Sequence, residues 1–229
     1  GRITLDRVRD ITLGEGRVAA VIYRLTGLNL APAYVVLDTD GELVSDLGGV
    51  IRSDLVADVG RLQALREELE TARIRDIQNR HAIRFDAPVR IRNVRVFDPV
   101  SGQLGPLSEV TVHQNRIATI IPETGDALRA DRYEIDGEGG TLVPGLHDMH
   151  AHNGIQSGLN YLMAGVTSTR DMGNDNAALL TLTRQIEAGE LPGPRIVRSG
   201  MLEGRSPYSV RTGIVADTLD EAKDAVRWY

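Results

Sequence analysis

Apolar residues in the first part of the chain follow two different periods. Residues 17–25 and 33–38 are rich in Val, Ile, Leu and Tyr, which predicts strands, and a turn sequence then leads to a third short strand at 42–45. Over 54–78 the apolar positions recur every three or four residues, as on an amphipathic helix. Residues 1–86 are therefore predicted to form an α+β extension made of a β-hairpin and one helix.

A series of short β patterns fills residues 87–140. Residues 89–97 alternate apolar and polar side chains, the pattern of a strand with one buried face. Further short strands are predicted at 109–113, 116–121 and 133–136. We therefore predict a small antiparallel β-domain over 87–140.

From residue 141 onward the pattern changes to repeated strand–loop–helix units. Strands are predicted at 141–150, 166–171 and 194–200, and helices at 157–164, 176–188 and 219–229. Repeated βα units imply parallel strands with right-handed crossovers. A closed eight-stranded barrel takes about 250 residues, so 141–229 can hold only the first three units of a partial (β/α)8 TIM-type barrel. The predicted fold class is therefore α/β.

Composition and charge exclude several classes of function. The chain has 26 Lys and Arg against 32 Asp and Glu, a net charge of −6, which argues against partners such as nucleic acid or an anionic membrane. No apolar run approaches the roughly 18 residues that a transmembrane helix needs. There is no cysteine, which excludes disulfides, a thiolate nucleophile, Cys-ligated zinc and iron–sulfur clusters.

The strongest local signal for chemistry is a His-x-His pair at the end of the predicted strand 141–150. Side chains alternate along a strand, so His150 and His152 should project to the same side and could bind one metal ion. Asp148 shares that face and could hydrogen-bond a ligand or orient its ring. His147 should point to the opposite side. In βα barrels, active sites gather at the carboxyl ends of strands, which strengthens the prediction of a metal site here.

Two residues after the third predicted strand are candidates for substrate binding. Arg205 could bind a substrate carboxylate through its fork of N–H donors, and Tyr208 could align a carbonyl or phosphate. The alternative is that both only stabilise a loop. At the end of the second predicted strand, Arg170 and Asp171 are expected to form a structural ion pair rather than a catalytic one.

Three sequence blocks resemble the amidohydrolase superfamily of metal-dependent hydrolases. The blocks Ala-Gly-Val-Thr-Ser-Thr-Arg-Asp-Met-Gly and Gly-Pro-Arg-Ile look like the imidazolonepropionase and prolidase-like branch. Residues 89–121 are similar to part of the β-sandwich that accompanies the barrel in that family, and the resemblance covers about 87–229. The remaining block, residues 143–152, contains the His-x-His pair. It is similar to the family's first barrel strand at Val143, Pro144, Gly145, Leu146, Asp148, His150 and His152.

The resemblance implies a hydrolase that uses one or two divalent ions, usually Zn²⁺, with Mn²⁺ and Fe²⁺ as alternatives. A metal-activated water would attack an amide, peptide or cyclic C–N bond in a small-molecule or peptide-like substrate. The family's remaining ligands are a lysine, two histidines and an aspartate on later strands. Those later strands are not expected within residues 1–229. The chain is therefore expected to be an inactive amino-terminal portion of the enzyme. An omitted segment or a second chain would complete the barrel, and the protein could also form a homo-oligomer.

Two alternatives remain open on the sequence. The chain could belong to a metal-free amidohydrolase-like scaffold or binding protein that kept the architecture and lost its ligands. It could also be a β-domain module in which residues 17–78 bind a partner and the histidines are incidental.

Overall fold

A computed structural model describes residues 2–126, 133–210 and 212–229. Its first group of elements is an antiparallel sheet in the order β1-β2-β3-β4. The strands are β1 (Thr4–Leu13), β2 (Val18–Thr26), β3 (Ala33–Asp38) and β4 (Leu43–Ser45). The last three confirm the predicted strands, whereas β1 was not predicted. One face of this sheet forms a core with residues of the following helical segment: Ile11, Leu13, Ala20, Ile22, Tyr34, Val36, Val44, Leu47, Leu55 and Leu62.

The predicted helix begins as a 3₁₀ turn, Ser53–Asp58, and continues as α1 (Val59–His81). The first half of α1 packs on the N-terminal sheet through Leu62. The second half contributes Ile74, which is 0% exposed, to a separate core with Leu182 and Leu191. One helix therefore takes part in two hydrophobic cores. No helix in the described ranges is both long and apolar enough to span a bilayer.

The second sheet has five strands and is mixed rather than antiparallel. It contains β5 (Val89–Asp98), β6 (Gln103–His113), β7 (Arg116–Pro122), β8 (Tyr133–Asp136) and β9 (Thr141–Leu142). The order is β7-β6-β5-β8, with β9 also on β5. Both β8 and β9 run parallel to β5, which corrects the antiparallel prediction. Alternation predicts which side chains are buried but not the direction of the neighbouring strand, since both arrangements bury alternate residues.

One face of this second sheet carries a network of buried charges. Arg90 pairs with Glu109 and donates from Nη1 to Glu134 Oε1 at 2.6 Å, while Arg92, 3% exposed, pairs with Glu123. The Glu123 carboxylate also accepts a hydrogen bond from the backbone N–H of residue 93 at 2.7 Å. These hydrogen bonds lower the pKa of Glu123 from 4.5 to about 2, and the bond from Arg92 contributes most.

This pKa predicts a loss of stability in acid. A carboxyl group with a lowered pKa in the folded state contributes stability above its ordinary pKa, and this is lost as pH falls from 4.5 toward about 2. Glu123→Gln should therefore lower the free energy of unfolding at neutral pH and weaken its fall in that acid range. Urea unfolding at several pH values measures both effects, with Glu138→Gln, an exposed site, as control. An acid profile identical to that of the wild type would contradict the prediction.

The third group of elements consists of parallel strands alternating with helices. It contains β10 (Leu146–Ala151), α2 (Ile155–Met163), β11 (Val166–Asp171), α3 (Asn176–Glu187) and β12 (Arg195–Arg198). The order is β10-β11-β12 and both pairs are parallel, as predicted. The predicted strand 141–150 is in fact two strands, because residues 141–142 form β9 in the second sheet.

The last elements form a separate small sheet. β13 (Leu202–Gly204) and β14 (Ile214–Ala216) pair in parallel, and α4 (Leu219–Trp228) follows them. Among the described residues the parallel strands do not close into a barrel. The architecture is a mixed α/β fold with several sheets, consistent with part of an amidohydrolase-like fold.

Candidate metal centre

The structure brings the two predicted ligand histidines together at the end of β10. The ring centroids of His150 and His152 are 5.5 Å apart and the rings are inclined by 70°. The strand is not regular here, because three steps along β10 from Asp148 to Ala151 match two steps along β11. This bulge interrupts the simple alternation assumed from the sequence. Both rings are nevertheless exposed and adjacent.

A hydrogen bond fixes the ring of His152. Its Nδ1 lies 2.6 Å from the backbone carbonyl oxygen of Gly173. A carbonyl can only accept, so Nδ1 must carry the proton, and in the neutral ring the lone pair is then on Nε2. Metal-binding histidines typically donate one ring N–H to a carbonyl or carboxylate in this way. His152 is therefore prepared to bind a cation through Nε2.

Asp148 supports the site through the backbone. Its Oδ1 accepts from the backbone N–H of His150 at 3.0 Å, and its Oδ2 accepts from the Tyr161 hydroxyl at 3.2 Å. Burial, together with this carboxylate, raises the pKa of Tyr161. Asp148 thus ties β10 to α2, and its contact with His150 is to the backbone N–H rather than to the ring.

The two imidazoles are suitable ligands for a metal but do not make a complete site. Imidazole nitrogen suits zinc, iron and related ions. A catalytic zinc is usually held by three protein ligands with water in the fourth position. Within residues 2–126, 133–210 and 212–229, no group of three or more His, Asp or Glu side chains could hold a metal. The pair therefore fits two positions of a metal site, and at least one further ligand is needed.

The candidate substrate-binding residues lie on the loop between β13 and β14. Arg205 is exposed and its Nε lies 2.8 and 2.9 Å from the two carboxylate oxygens of Asp217. Tyr208 is 92% exposed. Both follow β13 in the small separate sheet rather than β12, the third strand of the parallel sheet. Their role in substrate binding stays a prediction.

The prediction that Arg170 and Asp171 form an ion pair at the end of β11 is wrong. Arg170 donates from Nε to the backbone oxygen of Met149 at 3.0 Å. Asp171 is 0% exposed and accepts hydrogen bonds from Asn153, Gly173 and Asn174. The two side chains are successive residues of a strand and point to opposite faces, which keeps them apart.

The fold of this chain is similar to parts of several solved hydrolase structures. No protein-family model matches the chain, and no curated protein does either. Among solved structures, one described as a "putative prolidase" from Bifidobacterium longum is 26% identical with a TM-score of 0.54 and is matched over 62% of this chain. A Xaa-Pro dipeptidase with bound methionine gives 21% identity, a TM-score of 0.52 and 62% coverage of this chain. The bottromycin amidohydrolase is 19% identical with a TM-score of 0.50, and the match covers 69% of this chain.

These matches extend over less than half of the other proteins. The chain spans 37% of the Bifidobacterium protein, 44% of the dipeptidase and 32% of the bottromycin amidohydrolase. The dipeptidase and the bottromycin amidohydrolase are 21% and 19% identical to this chain, so their similarity shows the fold alone. The Bifidobacterium protein is 26% identical. The similarity to the Bifidobacterium structure, together with the sequence motif at 143–152, supports a relationship of this chain to the amidohydrolase superfamily.

Proposed function

We propose that this chain forms the amino-terminal part of a metal-dependent amidohydrolase, including the first units of its (β/α)8 barrel and part of its β-sandwich. The observation that carries the proposal is the hydrogen bond from His152 Nδ1 to Gly173 O beside the ring of His150. It leaves Nε2 of His152 available next to a second imidazole at the end of a parallel strand. Related structures of prolidases and amidohydrolases support hydrolysis of an amide or peptide C–N bond.

His150 and His152 would hold the metal, which we propose to be Zn²⁺, with Mn²⁺ or Fe²⁺ as alternatives and one or two ions in the site. Such an ion supplies a hydroxide near neutral pH and polarises the scissile carbonyl. The residues of this chain then have distinct tasks. The Gly173 carbonyl fixes the ring of His152, and the Asp148 carboxylate fixes the backbone of His150.

The remaining ligands and the group that moves the proton would come from the rest of the barrel, on a further segment or a second chain. Since the described residues offer no third ligand at the pair, the 229 residues alone are expected to be inactive. The substrate would be a small-molecule or peptide-like amide. Arg205 would bind a carboxylate of the substrate in place of Asp217, and the exposed Tyr208 would align a carbonyl or phosphate group.

A second candidate is a metal-free amidohydrolase-like scaffold or binding protein. It is favoured by the lack of a group of three ligands among the residues that the structure describes. The two candidates differ in one measurable property, which is the metal content of the protein.

The test is the double variant His150→Ala/His152→Ala in the protein that contains the rest of the barrel. We expect the wild type to retain stoichiometric metal after dialysis and to hydrolyse dipeptides or N-acyl amino acids. The double variant should lose both, because a site cannot hold its ion without two of its ligands. His147→Ala, an exposed change on the same strand, should lose neither. A double variant that keeps its metal and its activity would refute the site, and a wild type without metal would favour the scaffold.

A further inference from the structure

A buried carboxylate lies on β11, opposite the end of the strand that carries His150. Asp171, the last residue of β11, accepts four hydrogen bonds from N–H groups although its side chain is closed to solvent. Its Oδ1 accepts from Gly173 N at 3.1 Å. Its Oδ2 accepts from Asn153 N at 2.7 Å, Asn153 Nδ2 at 3.0 Å and Asn174 Nδ2 at 3.1 Å. A buried polar group that loses its hydrogen bonds costs free energy, so these four contacts favour one fixed arrangement of the donors around Asp171.

The backbone groups that Asp171 holds are those that place His152. Asn153 follows His152 in the chain, so its bond to Asp171 fixes the backbone on one side of the histidine. Gly173 donates its N–H to Asp171 and accepts from the His152 ring through its own carbonyl. The side chain of Asn174 closes the arrangement by donating to the backbone oxygen of Asn153 at 2.7 Å. The loops after β10 and β11 are thus joined through one carboxylate.

We propose that Asp171 is a positioning residue that keeps His152 in the tautomer needed for metal binding. It holds Gly173 so that the Gly173 carbonyl meets His152 Nδ1, which keeps the proton on Nδ1 and the lone pair on Nε2. The inference rests on the proposed function, in which His152 binds the metal through the lone pair on Nε2. Asp171 touches neither a metal nor a substrate in this role.

The variant Asp171→Asn separates the contact to Gly173 from the contacts to Asn153. An amide has one oxygen and one NH₂ group, so it can satisfy the three donors on the Oδ2 side only by turning its NH₂ toward Gly173 N. The hydrogen bond from Gly173 N would then be lost, because the NH₂ group of the asparagine and the N–H of Gly173 are both donors. We expect Gly173 to move and its hydrogen bond with His152 to weaken.

The primary measurement is the tautomer of His152, from nitrogen-15 spectra of the metal-free, histidine-labelled protein that contains the rest of the barrel, recorded over a range of pH. In the wild type His152 should be protonated on Nδ1, and in Asp171→Asn it should shift toward protonation on Nε2. His150 serves as an internal control because Asp148 holds its backbone. The wild-type spectrum is already a test, since protonation of His152 on Nε2 would overturn the proposal even if the variant failed to fold.

Thr169→Val provides a matched structural control. Thr169 is 2% exposed, and its hydroxyl donates to the Asn153 side chain at 3.1 Å rather than to Gly173. This variant should lower stability and leave the tautomer unchanged. A tautomer shift as large as that of Asp171→Asn would mean that any disturbance of the buried cluster suffices, and the proposal would fail.

Zinc titration of the protein with its complete barrel gives the second measurement. Loss of a group that orients a metal ligand typically weakens metal binding about 10–100-fold, and we expect Asp171→Asn to fall in that range. A wild type that binds no zinc, while His152 carries its proton on Nδ1, would refute the proposed function and leave the positioning of the ring intact. Unchanged zinc affinity in Asp171→Asn, with zinc bound by the wild type, would refute the role of Asp171.

Discussion

Replacing Ile74 with alanine is expected to lower the free energy of unfolding by about 2–5 kcal/mol. Ile74 is 0% exposed and lies in a core with Leu182 and Leu191. The change removes buried methyl and methylene groups and leaves a cavity between α1 and the elements around α3. Urea unfolding measures the effect. Because these core partners lie near the parallel strands, the variant tests how firmly the N-terminal extension is attached to them.

Ile83→Ala is the matched control. Ile83 follows the same helix and is 78% exposed, so the same chemical change there should alter stability by no more than about 0.5 kcal/mol. Similar losses for the two variants would show that Ile74 does not join two parts of the protein.

The packing of α1 also bears on the hypothesis that residues 17–78 form a separate partner-binding module. Two polar contacts accompany the buried isoleucine: Arg75 pairs with Glu190 at 2.7 Å, and Gln78 donates to Gly189 O at 2.8 Å. The end of the helix is thus already occupied by another part of the same chain. A partner would have to bind elsewhere on the extension or displace these contacts.

Much of the fold follows from local patterns, and the errors have physical causes. Strands such as β11 are found because their alternation and flanking residues are distinct, and the predicted 166–171 matches Val166–Asp171. β1 was missed because it is an edge strand rich in charged residues, in which only Ile11 and Leu13 are buried. The division of 141–150 into two strands reflects Pro144, which has no N–H for a sheet.

The candidate site was only partly predictable. The spacing of His150 and His152 indicated that the rings would be neighbours, which the 5.5 Å between centroids confirms. The bulge in β10 depends on its register with β11, which no pattern in one strand contains. The bond between His152 and Gly173 joins residues 21 positions apart in the chain, so the motif could not reveal it. The same holds for the pairing of Arg205 with Asp217.

The glycine of the Pro-Gly pair before β10 has a structural explanation. Leu146 pairs with Val166 and His147 with Ser168, so Thr167 is an extra residue of β11 at this point. A Cβ built on Gly145 would overlap Thr167 Oγ1 and would lie 2.5 Å from Cγ2 and 2.7 Å from Cβ of the same residue. Only glycine lets the two strands approach this closely where β10 begins.

Gly145→Ala is therefore expected to lower the free energy of unfolding by about 1–3 kcal/mol, the usual cost of overpacking. Gly204→Ala is the control, because nothing lies within 4 Å of a Cβ built there. Thr167→Ala removes Oγ1 and Cγ2, so the pair Gly145→Ala/Thr167→Ala should be less destabilised than the sum of the single changes. A double-mutant cycle measures this coupling, expected at about 0.5–3 kcal/mol for residues in contact. Additive effects would mean that some constraint other than Thr167 requires glycine at the start of the strand that carries both histidines.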